Sequence, residues 1–255
     1  SMKDKLCQFE FIELTVETMA RLVQVACGDK QPGMDGIDGK LIGMAVDFVA
    51  QPICHILNTS LKEAKIIPLP KDKKTSFSGP NCRPISLLPA VSKILEKAVF
   101  DQIQEYFSVN NLLTKYQHSY RKGHSTCTAL TQMSDEWYRE VDNKMLCGAV
   151  FLDFTAAFDL LEHTLLLERL VCYGFKPSAA SWMGSYLLNR SKRVFFNGGG
   201  LDSVLVESGI PQGSCVDPLM YSIFTNDLPQ VLRSANLSTV PCISIHPPWT
   251  FSHYV

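Results

Sequence analysis

The apolar run Gly148-Ala149-Val150-Phe151-Leu152 ends in a carboxylate, Asp153. Five residues further on stand an aromatic, Phe158, and a second acid, Asp159. A carboxylate at a strand end can take a divalent cation that also binds phosphate oxygens. The same residue can equally cap a helix at an ordinary strand-to-helix junction. A bulky ring five residues past a metal carboxylate can pack under a nucleotide sugar and exclude a ribose 2′-hydroxyl, or it can simply be core. Two metal ions need several anionic ligands, so the remainder must come from elsewhere in the chain.

Three further constellations could do related chemistry. In Asn81-Cys82-Arg83-Pro84-Ile85-Ser86, Arg83 follows a basic loop, and an arginine fork suits phosphate oxygens. Lys71 could add a second positive charge toward a triphosphate. In Tyr120-Arg121-Lys122-Gly123-His124-Ser125-Thr126, two cations, a glycine and small hydroxyls could let the backbone approach a phosphate strand, or the segment could be a loop capped by Ser125 or Thr126. In Gly209-Ile210-Pro211-Gln212-Gly213-Ser214, Gly213 allows close backbone approach to a ligand and Gln212 can bond a base or sugar edge, although a turn needs no more than this.

These residues require elements to hold them. Apolar spacing predicts helices over Phe9 to about Ala26, Leu41 to Leu61 and Ser86 to Asn110, the last with Ile94, Leu95, Val99, Ile103 and Phe107 on one face. Further helices are predicted over Thr126 to Val141, His163 to Tyr173, Ser178 to Asn189 and Pro218 to Leu228. Ala64 to Pro70 reads as a short strand ended by prolines, and Met145 to Phe154 as a buried strand. Lys192 to Asn197 and Ser203 to Glu207 read as paired strands around Gly198-Gly199-Gly200. Helices and strands in mixed order imply an α+β fold.

Composition sets the outer limits. The 255 residues, 46% hydrophobic, can build a sizeable core in one domain or two lobes. A formal net charge of −1 does not announce a nucleic-acid binder. Leu61 to Gly123 nonetheless carries eleven Lys and Arg against five Asp and Glu, which is either a binding surface or a solvated face. The nine cysteines form no CxxC pair, which argues against a zinc site and a disulfide framework and for reduced thiols. The sequence has no apolar run long enough for a membrane span and does not begin as a signal peptide, so an intracellular setting, nuclear or cytoplasmic, with no membrane partner is expected.

In their order and spacing these blocks resemble the reverse transcriptase domain of a non-LTR, LINE-type retrotransposon. The matching segments are Arg83-Pro84-Ile85-Ser86-Leu87-Leu88-Pro89 with Ser92-Lys93-Ile94-Leu95-Glu96, then Tyr120 to Thr126, Phe151-Leu152-Asp153 with Ala157-Phe158-Asp159, Gly209 to Ser214, and Asn226-Asp227-Leu228-Pro229. The resemblance covers roughly Phe9 to Pro229. It implies RNA-templated DNA synthesis with Mg²⁺, an RNA template, a DNA primer and deoxynucleoside triphosphates. It also implies a right-hand polymerase fold with fingers, a partial palm and no thumb. Residues 1–60 would extend the fingers, 61–145 form them, 146–229 form the partial palm, and 230–255 an irregular tail. By the match, Asp153 is the catalytic metal carboxylate and Phe158 the sugar gate. Arg83 and Lys71 would hold the triphosphate, Gln212 and Gly213 the incoming nucleotide, and Arg121, Lys122 and Gly123 the nucleic acid.

The chain also departs from that pattern. The family places a Tyr/Phe-x-Asp-Asp hairpin shortly after the segment matching Asn226 to Pro229. From Gln230 to Val255 there is no Asp or Glu, and no Asp-Asp pair occurs anywhere. Asp217 stands where the family usually has Gly, and would strain the backbone if φ > 0 were required there. The expectation is a truncated and catalytically inactive domain. Its alternatives are a non-catalytic nucleic-acid-binding remnant and an unstable pseudogene product.

Overall fold

The computed structural model describes residues 8–26, 38–46, 63–70, 82–87, 90–149, 154, 157–196, 199–210 and 213–234. The chain divides into two compact units, Ser1–Asn110 with Ala156–Tyr221, and Asn111–Thr155 with Ser222–Val255. Helices and a five-stranded mixed sheet together give the α+β character expected.

In the first unit, α1 (Val16–Ala26) begins where Thr15 accepts the Thr18 N–H at 3.2 Å, a side-chain cap. Met19, Leu22 and Val23, at helical spacing, are buried with Ile42 and Val46 from the α2 region (α2, Gly39–Met44) and with Ile94 and Ala98 of α3 (Ala90–Val109). On α3, Ile94, Val99, Ile103 and Phe107 are buried as the periodicity predicts. The helix starts later than Ser86, however. Residues Cys82–Leu87 form strand β2, because Pro84 has no N–H to give a helix and Pro89 disfavours helical backbone at the residue before it.

Strand β1 (Glu63–Pro70) pairs antiparallel with β2, from Lys65↔Leu87 to Pro70↔Cys82, and parallel with β3 (Arg190–Phe196). β4 (Gly199–Gly200) and β5 (Val204–Val206) both run antiparallel to β3. The paired strands expected around the glycine turn are therefore present. Helices α5 (His163–Cys172) and α6 (Pro177–Leu187) match their predicted spans and bury Leu166, Leu170, Ala179, Met183 and Leu187. Glu162 caps α5, accepting from the N–H groups of Thr164 and Leu165, and these bonds hold its carboxyl below the usual range. Phe9 does not extend α1. Its backbone exchanges hydrogen bonds with Gly174 and Lys176, and its ring lies 4.3 Å from Phe175 and 5.0 Å from Tyr106. α7 begins at Asp217 and runs to Phe224, with the unit boundary passing between Tyr221 and Ser222.

In the second unit, α4 (Thr126–Asp142) is capped by Ser125, which exchanges hydrogen bonds with Thr128 in a capping box. α8 (Leu228–Ser234) follows the Asn226-Asp227 turn. Buried Asn226 accepts from the Thr114 N–H at 2.7 Å and donates to the Leu112 carbonyl at 2.8 Å, so it fastens the chain before α8 to residues 112–114. The strand predicted over Met145 to Phe154 is not seen in its described part. Residues 145–149 form no regular element, Leu146 is fully exposed and Phe154 is half-exposed. A short apolar run does not choose a partner strand by itself. Residues 150–153 of the predicted strand lie outside the described set, as does most of the helix predicted over Leu41 to Leu61.

Candidate nucleotide and nucleic-acid site

The β1–β2 hairpin places Arg83 opposite Leu69 and ends at the pair Pro70↔Cys82. Lys71, next in the chain, lies outside the described residues, and so do Gln212 and Asp153. Three residues beyond Arg83 on β2 is buried Ser86, and against it stands Gly213. Gly213 has φ +122°, and a Cβ on it would lie 2.8 Å from the Ser86 carbonyl oxygen. No side chain fits in that gap, so the glycine serves contact between a turn and a strand. The structure thus brings the Arg83 strand and the Gly213 turn together, two blocks that the sequence keeps far apart.

A second junction joins Phe158 to the start of the same turn. The Phe158 carbonyl accepts from the Ile210 N–H at 3.0 Å, and the Leu161 carbonyl accepts from the Gly209 N–H at 2.8 Å. Gly209 has φ +82°, and a Cβ there would meet the Asp159 backbone at 2.6 Å. Buried His163 closes the arrangement, its Nε2 2.7 Å from the Gly209 carbonyl oxygen. The Phe158 ring packs 5.0 Å from that of Tyr221, whose hydroxyl burial pushes up in pKa. Asp159 is held through its main chain, whose carbonyl accepts from the Ser208 hydroxyl at 3.1 Å. Burial raises its carboxyl pKa, opposed by nearby Lys192.

Behind the Gly213 turn lies a polar cluster that the sequence reading missed. The Tyr186 hydroxyl donates to Glu96 Oε1 at 2.9 Å and lies 3.1 Å from Ser214 Oγ. Ser214 Oγ accepts from the Val216 N–H at 3.1 Å, and Asp217 Oδ2 accepts from the Ser214 N–H at 3.2 Å. Arg190 donates to the Tyr186 carbonyl at 3.1 Å, with its guanidinium 4.8 Å over the Tyr186 ring. Glu96, Arg190 and Asp217 are at most 3% exposed. Burial pushes the Glu96 carboxyl up in pKa, and pushes Asp217 well above the carboxylate range with Glu96 repulsion adding to it. One sign was available in the sequence. Glu96 sits at helical spacing from Val99 and Ile103, a carboxylate on a core face. The strain expected at Asp217 is absent, since it opens α7 and is not among the positive-φ residues. Its cost is desolvation instead.

The Arg121-Lys122-Gly123 loop belongs to the second unit. Arg121 Nη1 donates to the Thr114 carbonyl at 2.9 Å, so one edge of its guanidinium is engaged in holding the loop. Lys122 is exposed, and Gly123, at φ +76°, has nothing within 4 Å of a Cβ position. The loop is both a helix entry, through the Ser125 cap, and a cationic surface turn. Among the described residues no group of three or more His, Cys, Asp or Glu could hold a metal ion. No helix among the described residues is long and apolar enough to cross a membrane.

Comparison with known proteins agrees with the blocks. Residues 70–254 match the family model described as reverse transcriptase (RNA-dependent DNA polymerase), a range that takes in the acid-free stretch after Pro229. The chain is 29% identical over 225 residues to the RNA-directed DNA polymerase from mobile element jockey of Drosophila melanogaster, covering 85% of this chain and 24% of that protein. It is 31% identical over 148 residues to the probable RNA-directed DNA polymerase from transposon X-element of the same species, covering 58% of this chain and 16% of that one. It thus spans about a quarter of the jockey protein's length or less in each case. A solved chain from a partial Cas6-RT-Cas1–Cas2 complex aligns at 17% identity with a TM-score of 0.44, over 86% of this chain and 35% of that one. With the family match spanning most of its length, this chain belongs to the reverse transcriptase (RNA-dependent DNA polymerase) family and is of the non-LTR, LINE-type retrotransposon kind.

Proposed function

We propose that the chain is a nucleotide- and nucleic-acid-binding portion of a retrotransposon reverse transcriptase, with fingers over 61–145, an N-terminal extension over 1–60 and a partial palm over 146–229. Arg83, with Lys71, holds the triphosphate. Gln212 and Gly213 face the incoming nucleotide, and Phe158 screens its sugar. Arg121, Lys122 and Gly123 follow the phosphates of an RNA template and DNA primer. The observation that carries this reading is the seating of Gly213 against Ser86, on the strand of Arg83, with a Cβ position only 2.8 Å from backbone oxygen.

The 255-residue polypeptide by itself is catalytically inactive on this reading. Asp153 is the carboxylate assigned to Mg²⁺, and Gln230 to Val255 supply no second one. Two-metal phosphoryl chemistry requires carboxylates enough to clamp both the attacking and the leaving oxygens. Primer extension on an RNA template with Mg²⁺ or Mn²⁺ tests this directly. Absence of extension, together with salt-dependent binding of a primer–template duplex, is expected. Template-dependent extension would overturn the inactivity. Failure to bind the duplex at low salt, in a chain that melts cooperatively, would overturn the binding assignment.

A further inference from the structure

We propose that Glu96 and Asp217 are positioning residues for the Gly213–Ser214 turn, acting as one carboxyl pair that grips Ser214 through its hydroxyl and its N–H. The consequence for ligand binding rests on the reading of Gly213 as a nucleotide contact. The grip itself does not.

The hydrogen bonds run in one consistent direction. Val216 N–H donates to Ser214 Oγ, the Ser214 hydroxyl can donate to Tyr186, and the Tyr186 hydroxyl donates to Glu96 Oε1. On the other side, the Ser214 N–H donates to Asp217 Oδ2. Ser214 is thereby held from α3, α6 and α7 at once. Immediately before it, Gly213 has no room to shift toward Ser86. Among the described residues, buried Glu96 Oε2 and Asp217 Oδ1 find no hydrogen-bond partner.

Among the described residues, buried Arg190 exerts a favourable charge effect on both buried acids. Among the described residues, the groups coupled to the pair are Tyr186 of α6, Arg190 of β3 and Cys215 before α7, with Lys97 of α3 acting on Cys215. The Tyr186 hydroxyl and the Cys215 thiol are themselves pushed upward by burial and by the acids. Burial raises both carboxyls, repulsion by Glu96 adds to the rise at Asp217, and Arg190 opposes it at each. Ionising both strengthens the bonds the carboxyls accept, but the cost of burying two like charges outweighs that gain, so the grip loosens. A side chain that merely filled space would not respond to pH.

The built-in reporter is Trp182, whose ring stacks on Tyr186 at 5.8 Å with an interplanar angle of 8°. The experiment uses the full chain with Trp137→Phe and Trp249→Phe, leaving Trp182 as the sole tryptophan, and follows its emission from mildly acidic to mildly alkaline pH. The affinity for dTTP with Mg²⁺ is measured across the same range. We expect an emission transition on raising the pH, with dTTP binding weakened about tenfold across it. Asp217→Asn and Glu96→Gln should each flatten both profiles, because either neutral amide removes the pair. Two amides are tested so that a failure of one to fold leaves the other decisive. A flat emission profile in the parent chain, or a transition that survives in the amide variant that folds, overturns the proposal. If the emission transition obeys the amides but dTTP binds at no pH, the grip stands and the nucleotide assignment of the turn falls.

Discussion

The carbonyl oxygen of Ser86 lies 2.8 Å from the point that a Cβ on Gly213 would occupy. Through that approach the strand bearing Arg83 and the turn following Gln212 become one structural feature. The two segments carry different blocks of the family pattern, and neither has chemistry of its own. Bringing backbone against backbone requires a glycine on one side, with a φ that L residues rarely adopt.

Replacing Gly213 with Ala should therefore cost more than a loop glycine normally does. The added Cβ meets backbone rather than a yielding side chain, and φ +122° is unfavourable besides. A loss of about 1–3 kcal/mol is expected in urea denaturation. Gly123→Ala serves as the control. It sits at φ +76° in open space, so only the backbone term of about 1 kcal/mol applies.

His163 should matter for a different reason. Its Nε2 supplies a hydrogen bond to the Gly209 carbonyl inside the protein. His163→Leu keeps bulk but leaves that carbonyl without this partner, which should cost about 1–3 kcal/mol. Because Gly209 and Ile210 bond the Phe158–Leu161 turn, amide exchange at residues 209 and 210 should accelerate more than exchange in α1.

The Glu96–Asp217 pair sets a pH trend in stability. Both carboxyls bind protons more tightly in the folded chain than when exposed. Their favourable contribution is complete below the ordinary carboxylate range and is lost as pH rises toward the raised folded values. The urea midpoint of the parent chain should thus fall over that window, while Asp217→Asn should show a shallower slope. An equal slope in both would count against the pair.

Helix α4 depends on its cap. Ser125→Ala removes the acceptor for the Thr128 N–H in the capping box. The expected cost is about 0.5–2 kcal/mol, read as faster amide exchange in the first turn of α4. Because Arg121 is held independently by the Thr114 carbonyl, the loop should keep its place in this variant.

The order and chemistry of the blocks were legible in the sequence, and so was much of the local structure. Buried positions on α3 followed from the spacing of Ile94, Ile103 and Phe107, and the β3–β5 pairing from strands flanking a glycine turn. The start of α3 lies later than its apolar pattern implies, because Leu87 and Leu88 continue that pattern while the prolines at 84 and 89 oppose helix. Residues 145–149 of the expected strand form no regular element, because an apolar run carries no information about whether a partner strand is available, while 150–153 lie outside the described residues.

By itself the sequence determined family membership, helix faces and the glycine positions, since these depend on residue type and on periods of two to four residues. Only the tertiary structure decided that Gly213 seats against Ser86, that His163 bonds the Gly209 carbonyl, and that Tyr186 bonds Glu96 while lying against Ser214. Those relations join residues far apart in the chain. They arise from how α3, α6, α7 and the sheet pack, and the cost of burying charge then couples Glu96 to Asp217.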